Sequence, residues 1–321
     1  MSPLLELQGV SVAIAHAQLL DGISLRLDRG QILGLVGESG SGKSLTAMAA
    51  MGLLPLIGGR VTTGAIRFDG QDMVQMTEAQ RRALRGRRIG FITQNPMTAL
   101  DPVQRIGAQI DVVSRLHLGL SSAAARARTL ELMTQLRIPE AGAVAEAWPH
   151  QLSGGMKQRI VIAMALAGEP DLIIADEPTT ALDVTVQAQI IQILAALVRD
   201  RGLALLLITH DMGVVAQVCD RVAVLYAGRL AEERPVDPIF AAPAHPYTRA
   251  LTLCIPRDDT ARGALHGIPG AVPTALNYPS GCRFHPRCPK AVSACSATQP
   301  ALVAYGEDGR VACHLPGPGA P

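Results

Sequence analysis

The segment GESGSGKS, residues 37–44, has the composition and spacing of a phosphate-binding loop. It fits the pattern G-x-x-x-x-G-K-[ST] and follows the apolar stretch QILGLVG. Small residues let successive backbone N–H groups surround phosphate oxygens, and the positive end of a following helix dipole points to the same place. We expect Lys43 to reach the β- and γ-phosphates and Ser44 to coordinate Mg²⁺. The predicted nucleotide-binding residues of this loop are Gly37, Ser39, Gly40, Ser41, Gly42, Lys43 and Ser44.

An acidic pair ends a second apolar run, LIIADEP at 172–178. Four apolar residues would carry Asp176 to the end of a buried strand, where its carboxylate can bind Mg²⁺ through water. Glu177 is one residue further along and is placed to polarise an attacking water molecule. Many strands end in Asp, so this run alone is weak evidence. Together with the upstream loop it predicts a nucleotide-hydrolysing site.

Four of the six cysteines lie near the C-terminus, separated by five, six and seventeen residues. They are Cys282, Cys288, Cys295 and Cys313. Structural zinc sites usually contain tight C-x2–4-C pairs, and these spacings match neither common ferredoxin run. A proline-rich tail with few core residues would benefit from a four-thiolate metal site. The spacing alone leaves open iron–sulfur, zinc and four unrelated free thiols.

The elements that must position these residues follow from hydropathy patterns. Short apolar runs bounded by turns predict a buried, mostly parallel sheet. They lie at 31–37, 89–93, 172–176, 203–210 and 221–228. Alternating residues in 1–35 and at 65–70 predict antiparallel strands instead. The clearest predicted helix is 185–202, ending at Gly202, and residues 104–148 have the composition of an inserted helical subdomain.

Composition excludes several classes of function. The net charge of +2 and the 3% aromatic content argue against a nucleic-acid-binding surface. No apolar run reaches the roughly 18 residues of a membrane helix, and the N-terminus lacks the pattern of a signal peptide. We therefore expect a cytosolic protein whose cysteines are reduced or metal-bound. Fourteen of the 22 prolines fall in the last 87 residues, which predicts a loop-rich tail.

The segment LSGGMKQR at 152–159 carries a resemblance to a known family. With the phosphate loop and the acidic pair, it resembles the nucleotide-binding subunits of ABC transporters over nearly the whole chain. The resemblance implies a Q-loop glutamine that also approaches Mg²⁺, a signature motif, a D-loop in ALD at 181–183, and a switch histidine. The corresponding residues are Gln94, Ser153, Gly154, Gly155, Asp183 and His210.

The family pattern implies that the signature binds the γ-phosphate of ATP held by a partner subunit's phosphate loop. Two ATPase subunits, identical or homologous, would then share two composite sites. One departure concerns the adenine, because the family usually has an aromatic residue where this chain has Ile14. Apolar contact remains possible there, but the stacking contribution of about 0.5–1.5 kcal/mol is lost.

Within the family, the chain is most similar to ATPase subunits of dipeptide, oligopeptide and nickel importers. The segments that carry this similarity include ALRGRRIGFITQNPMTALDP, HPYTRAL and GCRFHPRC. It implies two membrane permeases, an indirect periplasmic binding protein and a peripheral location at the cytoplasmic face of the inner membrane. It also implies a [4Fe–4S] cluster on the four cysteines, in preference to zinc.

The combined expectation is an α/β protein with a P-loop ABC ATPase domain. This domain would span 1–240, with an N-terminal antiparallel β subdomain and a helical subdomain at about 95–165. A loop-rich tail with the four-cysteine metal site would span 241–321. The expected function is ATP hydrolysis that powers peptide import. Import of nickel or another small solute is the alternative, and a non-transport role in DNA repair or translation is less favoured.

Overall fold

The computed structural model describes residues 2–179, 182–255 and 267–317. Its strands, in chain order, are β1 (Leu5–Ile14), β2 (Ala17–Leu27), β3 (Ile32–Val36), β4 (Gly59–Phe68), β5 (Gln71–Asp72), β6 (Ile89–Ile92), β7 (Leu172–Asp176), β8 (Ala204–Thr209), β9 (Arg221–Tyr226), β10 (Arg229–Pro235), β11 (Val303–Ala304) and β12 (Arg310–Val311).

The α-helices of the described residues are α1 (Lys43–Ala50), α2 (Glu78–Leu84), α3 (Pro96–Ala99), α4 (Ile106–Leu118), α5 (Ser122–Gln135), α6 (Ala141–Ala145), α7 (Gly154–Leu166), α8 (Val184–Arg201), α9 (Met212–Val218), α10 (Val236–Ala241), α11 (Pro246–Leu253) and α12 (Ser293–Ala297). Among these described helices, none combines the length and the apolar character needed to cross a bilayer.

One compact unit comprises the described parts of Met1–Leu27, Ile32–Gln75 and Ile208–Pro321. Strands β2, β1, β4 and β5 form an antiparallel sheet in this order. A second set of strands has the order β11, β12, β10, β9 and β3. Strands β3 and β9 are parallel, and every residue of β3 is buried. The phosphate loop therefore begins at the end of β3, a strand that is held rigidly by its burial.

The other compact unit comprises Asp28–Gln31 and Met76–Leu207. Its strands have the order β8, β7 and β6, with all but the last two residues of β8 inside the unit. Strands β6 and β7 are parallel, and β7 is buried throughout. Helices α4 and α5 contact each other, and both contact α6 and α7, so that these four helices form the helical part of the unit.

The α/β fold class predicted from the sequence is confirmed. The run at 185–202 forms α8, which Asp183 caps at its start and Gly202 ends in a left-handed conformation with φ 64°. The helices in the described part of the tail are all short, as its proline content predicts. The predicted domain limits near 240 and at 95–165 stay predictions.

Candidate functional site

The loop between β3 and α1 is shaped by glycines whose backbone other residues could not adopt without strain. Gly37 has φ 152°, and a Cβ atom added there would come within 2.2 Å of the Leu225 carbonyl oxygen. Gly42 has φ 106°, and its added Cβ would lie 2.6 Å from the Leu20 side chain. The loop is therefore tightly packed against Leu20 and Leu225, which fixes the direction in which its backbone amides point.

Lys43 and Ser41 carry polar groups that a phosphate ligand would suit. The Lys43 Nζ atom donates to the carbonyl oxygens of Gly37 at 2.7 Å and Glu38 at 3.0 Å, and the side chain is buried. The fully buried Ser41 hydroxyl has no hydrogen-bond partner among the described residues. An unpaired buried hydroxyl costs free energy, so a phosphate oxygen would be a favourable partner.

The remaining predicted residues of this unit lie at element ends. Ser39, Gly40 and Ser44 are exposed on the loop and on the first turn of α1. Ile14 is half-buried at the end of β1, where it pairs with Gly59. His210 is exposed directly after β8. The next residue, Asp211, caps α9 by accepting from the amides of Gly213 and Val214, which gives the turn after His210 a defined conformation.

In the other unit, the structure brings Gln94 and Glu177 together. Gln94 follows β6 and donates through Nε2 to Glu177 Oε2 at 3.0 Å. Asp176 is buried at the end of β7, whereas Glu177 is partly exposed. Glu177 also has φ 46°, a left-handed conformation that is uncommon outside glycine. A residue with a strained backbone at the end of a buried strand, whose carboxylate accepts from an amide side chain, fits a catalytic group.

The signature residues begin helix α7. Ser153 is the N-cap, and its hydroxyl accepts from the Met156 amide at 3.3 Å. Ser153 and Gly154 are exposed, so this helix end is open to a ligand from outside the chain. A Cβ on Gly155 would lie 2.8 Å from Val186 Cγ1, which explains the glycine next to α8.

Asp183, from the predicted D-loop, is exposed and caps α8 through the Val186 amide at 3.0 Å. Residue 181 of the same segment lies outside the described residues. The sequence alone had not indicated this capping role, although Asp just before a helix is a common N-cap.

The four C-terminal cysteines line one small cavity in the first unit, together with His245, His285 and His314. A backbone hydrogen bond joins Cys282 and Cys295, because the Cys282 amide donates to the Cys295 carbonyl oxygen at 2.8 Å. Cys288 ends a short 3-10 turn, and Cys313 follows β12. The four cysteines, which are separated by up to 31 positions in sequence, therefore converge on one cavity.

These thiols do not form a ready-made metal site. In the described parts of the chain, no group of three or more His, Cys, Asp or Glu side chains is arranged to hold a metal ion. Burial raises the pKa of Cys282, Cys288 and Cys313 above the usual value, backbone hydrogen bonds lower it in part, and the neighbouring thiols raise it slightly further. The four thiols on one cavity suit a thiolate-binding metal, although they are not already arranged as its ligands.

One set of contacts to the phosphate loop could not be predicted from the sequence. The Glu38 amide donates to Tyr247 Oη at 2.8 Å, and the Glu38 carboxylate pairs with Arg287 at 2.9 Å. Both partners belong to the C-terminal region and are more than 200 residues away in sequence. Only the charged residues in GESGSGKS and GCRFHPRC could have suggested the ion pair.

Comparison with known proteins agrees with this geometry. Residues 20–180 match the family described as ABC transporter. The chain belongs to the ABC transporter family. Residues 231–295 also match the family described as oligopeptide/dipeptide transporter, C-terminal region. This ABC transporter protein is therefore an ATP-binding cassette ATPase with an additional C-terminal region.

Curated ABC relatives align over almost the whole chain. The oligopeptide transport ATP-binding protein AppD of Bacillus subtilis (strain 168) is 42% identical, with 98% of this chain and 97% of the relative covered. The dipeptide transport ATP-binding protein DppD of Escherichia coli (strain K12) is 44% identical, with coverages of 94% and 92%. A solved dimeric ATP-binding cassette in a post-hydrolysis state with ADP and Pi has a TM-score of 0.64 at 27% identity. The alignment covers 72% of this chain and 98% of the chain in that structure.

Proposed function

We propose that this chain is the ATP-hydrolysing subunit of an ABC importer that takes up peptides. The observation that carries the proposal is the match of residues 231–295 to the oligopeptide/dipeptide transporter C-terminal region, joined to an ABC cassette. The names of AppD and DppD support the substrate class. Substrate contacts of such a machine would lie on other subunits, so the chain supplies energy and not selectivity.

ATP binding is assigned to the loop after β3. Lys43 would exchange its two carbonyl partners for β- and γ-phosphate oxygens, which are stronger acceptors because they are charged. The Ser41 hydroxyl would gain a partner, and Ser44 would coordinate Mg²⁺. Ile14 would offer the adenine an apolar contact without stacking.

Hydrolysis is assigned to Glu177 as the general base, with Gln94 orienting it or the attacking water. Asp176 and Gln94 would complete the Mg²⁺ site with Ser44, and His210 would contact the γ-phosphate. Bound Mg²⁺ would neutralise charge that develops on the phosphate oxygens.

Two copies, or this chain and a homologous ATPase, would form composite sites. The exposed helix end at Ser153, Gly154 and Gly155, together with Asp183, would face the γ-phosphate held by the partner subunit. Two permeases would anchor the pair at the cytoplasmic face of the inner membrane, and a periplasmic binding protein would deliver the peptide. ATP would bridge the subunits, and hydrolysis would release them.

Reconstitution of the complete transporter in proteoliposomes tests this function. We expect a dipeptide or oligopeptide with the binding protein to stimulate ATP hydrolysis and to accumulate inside, and Lys43→Ala to abolish both. Nickel in place of peptide tests the alternative substrate, and duplex DNA tests a non-transport role. Stimulation by nickel or DNA without stimulation by peptide would contradict the proposal.

A cofactor is proposed for the cysteine cavity. We infer that Cys282, Cys288, Cys295 and Cys313 bind a [4Fe–4S] cluster, because four thiols line one cavity and four thiolates are the usual ligand set. Zinc is the second candidate for the same ligands. Metal binding would deprotonate the thiols and reverse the rise in their pKa values. The cluster would hold together a tail with few long elements.

Anaerobic purification tests the cofactor. We expect a brown protein that absorbs at about 400 nm and contains about four irons per chain, both lost on Cys288→Ser. Cys219→Ala is the matched control, because Cys219 is buried away from this cavity and its pKa is raised to about 12 by burial and the nearby Asp220. Stoichiometric zinc in a colourless protein would decide against the cluster, and absence of both metals would refute the metal site.

A further inference from the structure

The phosphate loop and the cysteine-bearing tail are joined by an ion pair. Both Glu38 carboxylate oxygens accept from Arg287, Oε1 from Nη1 and Oε2 from Nη2, each at 2.9 Å. The Arg287 side chain is only 6% exposed, although Glu38 is followed in the loop by Ser39 and Gly40, which are exposed. A paired, two-bond contact of this kind is strong and fixes orientation as well as distance.

Arg287 is held independently of Glu38. Its Nε donates to the Pro269 carbonyl oxygen at 2.8 Å, its Nη2 to Ile268 at 3.1 Å, and its Nη1 to the Tyr226 hydroxyl at 3.2 Å. With the two bonds to Glu38, these contacts match the five N–H donors of a guanidinium. The arginine therefore has one fixed position, set by the tail and by β9.

The Glu38 backbone is fixed by the same region. Its amide donates to Tyr247 Oη at 2.8 Å, and its carbonyl oxygen accepts from Lys43 Nζ at 3.0 Å. Tyr247 is fully buried, and its ring packs against Tyr226 and Phe284 with centroid distances of 4.6 and 5.3 Å. The residue that accepts from the phosphate-binding lysine is thus anchored at its amide and its carboxylate.

We propose that the C-terminal region sets the conformation of the phosphate loop for ATP. Arg287 and Tyr247 are positioning residues that act through Glu38, and the ligand is the triphosphate of the nucleotide. This inference rests on the proposed binding of ATP at residues 37–44. A loop that is pre-ordered before binding loses less entropy when ATP arrives, so affinity rises.

The negative charge of Glu38 distinguishes this proposal from a general loss of stability. Arg287→Ala would leave the Glu38 carboxylate unpaired in a loop that must accept a polyanion, so repulsion would add to the loss of order. Glu38→Gln removes the negative charge and keeps the side-chain length, so its effect should be smaller. Combining the two changes should therefore recover part of the affinity lost in Arg287→Ala.

Arg283 provides the matched control. It belongs to the same CRFHPRC segment, its side chain is 11% exposed, and it pairs with Asp21 at 2.8 Å. It also donates to the Ala227 carbonyl oxygen. Arg283→Ala removes a largely buried ion pair of the tail that makes no direct contact with Glu38, so a general loss of tail stability would appear equally in both variants.

The test measures equilibrium binding of ATP to the full chain, with thermal unfolding without nucleotide recorded for each variant. We expect Arg287→Ala to weaken ATP binding about tenfold and Glu38→Gln about threefold, as loss of a charge-assisted pair implies. Arg287→Ala combined with Glu38→Gln should bind more tightly than Arg287→Ala alone, and Arg283→Ala should stay within about twofold of wild type. In the assembled transporter, KM for ATP should rise while kcat is retained.

Wild-type affinity in a folded Arg287→Ala variant would overturn the inference, and so would an equal loss in Arg283→Ala. If Arg287→Ala does not fold, wild-type affinity in Glu38→Gln would overturn it instead. A wild-type chain that binds no ATP would refute the proposed function itself, which is a separate result.

Discussion

Glu177 combines the features expected of a catalytic base at the scale of a single residue. Its backbone is in the left-handed region at φ 46°, and its carboxylate accepts from Gln94 at 3.0 Å. We predict that Glu177→Gln retains ATP affinity, because the amide is isosteric and the phosphate loop is unchanged. Hydrolysis should fall by about 10²–10⁴-fold, the usual contribution of a general base. Equilibrium binding and phosphate release in the assembled transporter measure the two quantities.

Glu140→Gln is the control for this prediction. Glu140 is also left-handed, with φ 47°, and is exposed at the start of α6. Glu140→Gln removes the same charge at a similarly strained backbone position. Glu140, however, lies in no predicted nucleotide-binding motif. A Glu177→Gln transporter that hydrolyses ATP as fast as Glu140→Gln would show that Glu177 is not the base.

At the scale of elements, local chemistry made much of the fold predictable. Strand β3, the loop at 37–44 and helix α1 follow one another, and each has its own sequence signal. Helix α8 was predictable for the same reason, since Gly202 marks its end. The pairing of Glu38 with Arg287 joins residues 249 positions apart. No local pattern could predict it, because tertiary packing decides which charges meet.

Helix α11 begins at an unusual N-cap that was also not predicted from the sequence. The buried His245 is its N-cap, and Nδ1 accepts from the Tyr247 amide at 3.0 Å. This bond requires a neutral ring nitrogen. Burial lowers the pKa of His245 to about 4, although a hydrogen bond with the Ala312 backbone raises it in part.

The depressed pKa predicts an acid-sensitive fold. The unfolded chain binds a proton at His245 below its ordinary pKa of about 6.5, whereas the folded chain does so only near 4. The stabilisation from neutral His245 is therefore complete above pH 6.5 and lost as the pH falls toward 4, by about 3 kcal/mol in full. Urea unfolding at a series of pH values measures this loss in the free energy of unfolding.

His245→Asn separates this effect from other acid-sensitive groups. Asparagine accepts hydrogen bonds at an N-cap but does not titrate in this range. The variant should lose less stability than wild type between pH 7 and pH 5. Equal losses in the two proteins would mean that His245 does not contribute.

At the scale of the whole molecule, the phosphate loop and the signature belong to different compact units of one chain. The exposed Ser153 at the start of α7 suits contact with a second subunit. If the sites are composite, the rate of ATP hydrolysis should depend on how two inactivating substitutions are distributed between the two copies. If one copy carries Lys43→Ala and the other Ser153→Arg, both lesions fall on the same composite site, and the second site stays intact.

We therefore expect a dimer with Lys43→Ala on one copy and Ser153→Arg on the other to retain about half of the ATP hydrolysis, since one of two sites survives. A dimer with both changes on one copy and none on the other should be nearly inactive, because each site then contains one lesion. Differently tagged copies, purified together, allow both arrangements to be measured at equal composition. Chains that each built a complete site would give the opposite order, because the unchanged copy would work alone. The contrast between the two arrangements, and not the absolute rate, decides whether this ATPase acts through shared sites.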